Sequence, residues 1–134
     1  MNEDKIPKER YYTEEHEWVQ IIKEEKGHVY IGITHFLEQE LGDIFDVIFD
    51  IKVGEKIEKG DVLGYLDTER EERDFYMPVS GKIVQLNGDL ETTPENINFA
   101  PYEEGWIVKI KMDSDNELDS LSNAEEYLEE NDTE

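Results

Sequence analysis

Between residues 28 and 51 the chain changes its hydrophobic period twice, and this limits what it can fold into. "HVYIGI" (28–33) alternates, with Val29, Ile31 and Ile33 on one face and Tyr30 and Gly32 on the other, the pattern of a half-buried strand. "THFLEQELG" (34–42) breaks the alternation. Thr34 can cap a helix by accepting an orphan backbone N–H, Leu37 and Leu41 fall one turn apart, and Gly42 can take the left-handed conformation that ends the helix. "DIFDVIFDI" (43–51) then returns to period two, with Phe45, Val47, Phe49 and Ile51 facing one way and Asp46 and Asp50 making the other face polar. A strand, a short capped helix and a second strand follow one another without room for a long helix.

The rest of the chain repeats this style. "YYTEEHEWVQII" (11–22) is strand-like and offers Trp18, Val19, Ile21 and Ile22 for burial, and "KEEKG" (23–27) turns on Gly27. "VGEKIEKGDVL" and "VSGKIVQLNGDL" echo each other and suggest a quasi-symmetric β fold. "TTPENI" (92–97) reads as one helical turn with Thr93 as cap and Pro94 first in the helix. "GWIVKIKM" is a final strand, with Trp106, Val108, Ile110 and Met112 on one face and Lys109 and Lys111 on the other. Ser114 with Glu117, and Ser122 with Glu125, have the spacing of capping boxes, so the end is helical. The expected architecture is mainly β, with short helices on the periphery.

Composition removes several classes of function. The 134 residues suit one domain and contain no cysteine, which excludes disulfides, thiolate metal ligation and thiol catalysis. No basic-then-apolar leader is present and no run approaches the ~20 apolar residues of a membrane span, so a soluble cytoplasmic protein is expected. With 13 basic and 36 acidic residues the formal net charge is −23. That field repels phosphate backbones and anionic membranes, so neither nucleic acid nor membrane is an expected partner. It favours solubility and encounter with basic protein surfaces. His16, His28 and His35 lack metal-site spacing and read as surface or structural residues, the carboxylates are too many to single out a pair, and no phosphate-binding glycine loop occurs. From the residues alone, the chain is not an enzyme but a small acidic β-rich binding or carrier domain.

"HEW" (16–18), "IGIT" (31–34), "LGDI" (41–44), "PVSG" (78–81) and "PYEEGW" (101–106), in this order and spacing, together resemble the H protein of the glycine cleavage system. The likeness runs over residues 11–128, which leaves 1–10 as a loose charged extension and 129–134 as an acidic tail. It implies a flattened barrel of two antiparallel sheets with short peripheral helices and a C-terminal helix, related to lipoyl and biotinyl domains. It implies a carrier: in the family a lipoyl group, amide-linked to a lysine at a hairpin tip, shuttles an aminomethyl group between the other glycine-cleavage proteins. The family's attachment motif Glu-Ser-Val-Lys, counted back from Pro78, falls on Asp67, Thr68, Glu69 and Arg70 within "LDTEREERDF" (66–75). The resemblance also places Glu17, after Glu15, near the cleft that shelters a loaded arm. Cofactor-site positions are therefore Arg70, Asp67 and Glu17.

At the attachment position the chemistry departs from the family. Lipoylation needs a neutral amine as acyl acceptor, which lysine supplies and a guanidinium with pKa above ~12 does not. No lysine occurs between Lys59 and Lys82, and Glu71, Glu72 and Arg73 stand where small residues are usual. No covalently attached cofactor is therefore expected. Two functions follow from the likeness: a non-lipoylated scaffold or regulatory protein that meets glycine-cleavage or lipoate-handling enzymes, and a lipoyl carrier in glycine decarboxylation. Arg70 and Arg73 could also form local pairs or a recognition point.

Overall fold

The computed structural model describes residues 6–131. Among these, nine strands build two antiparallel sheets: β1 (Tyr11–Tyr12), β2 (Glu17–Ile21), β3 (His28–Ile33), β4 (Ile44–Phe49), β5 (Lys56–Ile57), β6 (Val62–Thr68), β7 (Glu72–Tyr76), β8 (Gly81–Leu86) and β9 (Val108–Met112). The larger sheet runs β1-β2-β3-β9-β8-β5 and the smaller β4-β6-β7. Around them lie the α-helices α1 (His35–Leu41), α2 (Asn96–Phe99) and α3 (Ala124–Asn131). Val19, Val29, Ile31, Leu63, Leu66, Ile83, Val108 and Ile110 belong to the main core. This is the mainly β chain expected from the residues, in the two antiparallel sheets that the family resemblance implies. The two echoing segments are neighbours, since β5 pairs with β8 and places Lys56 opposite Lys82.

Local chemistry explains most of the elements. Thr34 Oγ1 accepts from the Leu37 N–H at 3.2 Å, and Gly42, at φ 78°, donates its N–H to Glu38 O. β4 departs from strict alternation. A register irregularity between Ile44 and Asp46 buries Ile44 and leaves Phe45 57% exposed, while Val47 and Ile51 remain buried. Ile21, expected inside, is 42% exposed. The helical turn at residues 92–97 begins later than expected: Glu95 is the N-cap of α2, and Thr93 and Pro94 contribute carbonyls rather than a side-chain cap. Ser114 caps the 3-10 helix Asp115–Ser120, but Glu117 is used elsewhere, accepting from Ser80 N and Oγ. For the last helix the capping box is shifted by one residue. Asn123 Oδ1 accepts from Glu126 N at 2.8 Å and Asn123 N donates to Glu126 Oε1 at 2.9 Å.

A second, aromatic-rich cluster fastens the chain's early and late segments together on the other face of the larger sheet. Ile6, Tyr12, Trp18, Ala124 and Tyr127 are buried in it, and Tyr12 stacks on Tyr127 at 4.8 Å. Gly32 is required opposite Trp18, because a Cβ there would lie 2.5 Å from the indole. Arg10 lies over Trp18 at 4.5 Å and Tyr102 at 5.3 Å and donates from Nη1 to Tyr102 O at 2.9 Å. Burial lowers its pKa from the ordinary arginine value. Buried Ile6 and Arg10 thus fix residues 6–10 against the body, and this part of the extension is not loose; residues 1–5 lie outside the described residues. At the other end α3 runs through Asn131, into the stretch expected to be a tail, of which 132–134 also lie outside. Arg10→Ala is expected to lose about 2 kcal/mol in urea denaturation, from the combined cation–π and hydrogen-bond contributions.

Candidate functional site

The β6–β7 hairpin carries Arg70 at its tip, and the tip is clamped. Thr68 Oγ1 accepts from the N–H groups of Arg70 at 3.3 Å and Glu71 at 3.1 Å and donates to Glu71 O at 2.6 Å. The Glu69 N–H donates to Asp43 O at 2.9 Å, and the Glu69 carboxylate accepts from Asp43 N at 3.3 Å. Arg70 Nη1 donates to two carbonyls at the C-terminus of α1, Glu40 O at 2.8 Å and Gln39 O at 3.4 Å. The last turn of α1 has no basic residue of its own, so Arg70 supplies the positive charge that complements those carbonyls.

Asn98, on α2, holds the receiving corner from behind. Its Nδ2 donates to Gly42 O at 2.9 Å and Glu38 Oε1 at 3.2 Å, and its Oδ1 accepts from Ile44 N at 2.9 Å. The close approach also explains Gly42, where a Cβ would lie 2.5 Å from Glu69 Oε1. Arg70→Ala is expected to cost about 1 kcal/mol and to speed hydrogen exchange at the Glu69 amide, read by NMR.

The three residues expected at the cofactor site are not brought together. Glu17 lines a cleft of about 530 Å³ with Thr13, Glu15, Lys59, Tyr76 and Met77, whereas Arg70 and Asp67 lie outside its lining. Asp67 sits on β6 between Asp46 of β4 and Glu72 of β7. Arg73 connects the two regions, 3.9 Å from Glu15 at the cleft and 3.5 Å from Glu71 at the tip. Glu17 is only 3% exposed; its carboxylate accepts from Tyr76 N at 2.7 Å and Thr13 Oγ1 at 3.2 Å. Burial pushes its pKa up to about 8, against the opposing effect of those two hydrogen bonds.

The histidines have structural partners. His16, at φ 70°, meets Tyr127 Oη through Nδ1 at 2.7 Å, and the same hydroxyl lies 2.8 Å from Thr34 Oγ1, so α3 is tied to the start of α1. His35 Nδ1 lies 2.7 Å from Glu38 Oε2, and His28 Nδ1 lies 3.2 Å from Lys26 O. Among the described residues no group of His, Asp and Glu has the arrangement of a metal site. The sequence carries no signal for Asn98, Asp43 or the Tyr127 hydroxyl, because nothing local marks a side chain whose partners lie on another element.

The family model described as Glycine cleavage H-protein matches residues 10–134. The chain belongs to the glycine cleavage H-protein family. Similar curated proteins include the glycine cleavage system H protein of Oceanobacillus iheyensis, 41% identical over 122 residues covering 91% of this chain and 94% of that protein. The glycine cleavage system H protein of Listeria innocua is 43% identical over 122 residues, with the same shares of 91% and 94%. Among solved structures, a glycine cleavage system H protein from Mycobacterium marinum superposes with a TM-score of 0.84 at 32% identity, over 95% of this chain and 99% of that one. Glycine cleavage H-proteins are carriers rather than catalysts.

The residues at the tip do not fit an amide-linked lipoyl group. The hairpin turn holds Glu69, Arg70 and Glu71, and the nearest lysines in sequence, Lys59 and Lys82, lie outside the β6–β7 hairpin. Lys59 Nζ is engaged with Ser120 Oγ at 2.6 Å, and Lys82 stands on β8 of the other sheet.

Proposed function

We propose that this member of the H-protein family is a cytoplasmic, non-lipoylated scaffold or regulatory binding protein for glycine-cleavage or lipoate-handling enzymes. The observation that carries the reading is the hairpin tip. Where the family resemblance calls for an acylable lysine, a guanidinium occupies the position and donates from Nη1 to the C-terminal carbonyls of α1. A swinging arm needs a free nucleophile on an accessible tip, and this tip has no such nucleophile. The body that partners would recognise persists, with Glu17 and Trp18 of "HEW" buried in its frame and Glu103 and Glu104 of "PYEEGW" exposed on it.

The second reading, a lipoyl carrier, is favoured by the persistence of the cleft at Glu17, and it would require an acyl acceptor elsewhere on the chain. Intact-mass measurement of the protein isolated from its native host separates the two. The expected result is the mass of the unmodified chain, and a lipoyl adduct at any residue would overturn the proposal. A lysine-bearing H protein encoded in the same host is the expected companion.

A further inference from the structure

The outer face of the larger sheet carries a line of basic side chains that neither the fold nor the proposed function uses. Lys56 of β5 is opposite Lys82 of β8, Lys82 is opposite Lys111 of β9, and Lys111 is opposite His28 of β3. Directly paired residues project from the same face of a sheet, so these four form one row across four neighbouring strands. The residues beside them, Val29, Ile83 and Ile110, are buried in the core, which turns the row to the outside. Strands lie about 4.8 Å apart, so the three lysines span about 10 Å.

Such a row carries a cost. Like charges directly opposed across strands destabilise a sheet. The chain has 36 acidic residues with which to balance its 13 basic ones, and Asp113, Asp115 and Asp119 line a groove with Lys111, yet no carboxylate pairs directly with the centre of the row. Lys56 has Asp113 at 3.7 Å, and Lys109, next along the same face, has Glu25 at 2.7 Å. Among the described residues, Lys82 and Lys111 have no carboxylate within the 4.0 Å of an ion pair, and both side chains are exposed.

We propose that this row docks a short acidic segment of a partner protein. Charge complementarity sets the sign, and the dimensions of the row set the size. At physiological salt an exposed charge acts over about 8 Å, so the attraction is confined to the row and its immediate border. A duplex or a bilayer extends its charge far beyond the row and meets the field of a chain carrying −23. A short extended segment does not. With acids on alternate residues it presents carboxylates about 6.8 Å apart on one side, a spacing that flexible lysine stems can match. This surface is separate from the hairpin and stands whether or not the tip is lipoylated.

The test is a titration of the uniformly ¹⁵N-labelled full chain with a capped hexaglutamate peptide at low and at physiological salt. Amide shifts are expected to map to Lys56, Lys82, Lys111 and His28, with affinity falling as salt rises. The K82Q/K111Q variant is expected to bind at least about tenfold more weakly, while K8Q, next to Pro7 in the groove of His35 and Tyr102 beyond the opposite end of β3 from His28, binds as the wild type. K82Q alone provides an intermediate loss should the double variant fold poorly. Shifts scattered over other surfaces, or undiminished binding by K82Q/K111Q and K82Q, would overturn the proposal. So would tighter binding of hexathymidylate or of phosphatidylglycerol vesicles than of hexaglutamate, which would assign the row to phosphates.

Discussion

Glu17→Gln is expected to be more stable than the wild-type protein at pH 9, by on the order of 5 kcal/mol, and the two are expected to converge near pH 4. The direction follows from protons bound. In the folded protein the Glu17 carboxyl titrates at about 8, and in the unfolded chain near the ordinary value of 4.5. Between those values the folded state holds a proton that the unfolded state has released, so stability falls as pH rises through this window. Above pH 8 the folded protein carries a carboxylate that burial penalises, and the full cost is present. Glutamine keeps an oxygen to accept from Tyr76 N, and its amide N–H takes over from the Thr13 hydroxyl as the donor in their contact, without a charge to desolvate. Urea denaturation of both proteins at pH 4, 6 and 9 measures the difference, and parallel pH profiles would remove Glu17 as its source.

Arg70→Lys, offered to a standard lipoate ligase, restores an amine but is modified at least about tenfold more slowly than a variant that also carries E71A, E72A and R73S. Both variants carry the same amine on the same tip, in place of the guanidinium that donates to Glu40 O, so the amine itself is common to the comparison. The flanking acids then present the ligase with a surface unlike the small residues usual after the family's lysine. Glu69 keeps its two contacts with Asp43 in both variants, so the backbone of the tip stays in place and the comparison isolates side-chain recognition. The quantity to follow is the time course of lipoyl mass on each protein. Equal rates would show that the acids do not matter to recognition.

What can be read from the sequence is what is decided locally. The Thr34 cap, the Gly42 stop and the alternation of β3 depend on residues within a few positions, and all three are found as expected. The missing lysine is legible because it needs only the identity of Arg70 and its spacing to Pro78. The phase of β4 is not, because Asn98, from a helix far along the chain, fixes the Ile44 N–H and the irregularity after it turns Phe45 outward. The last cap falls on Asn123 rather than Ser122 because the Ser122 backbone is already paired with Tyr12. Arg70 looks in the sequence like one more solvated charge, since the carbonyls it binds belong to α1, some 30 residues earlier. The burial of Glu17 is likewise hidden among many carboxylates.

The clamp between the β6–β7 turn and α1 has a consequence for the selectivity of association. A mobile arm samples many orientations, and a partner that captures it must take that freedom away. Here the contacts of Glu69 with Asp43 and of Arg70 with Glu40 are made before any partner arrives. A protein that binds this turn therefore meets a rigid template, loses little conformational entropy on contact, and discriminates by shape rather than by adaptation.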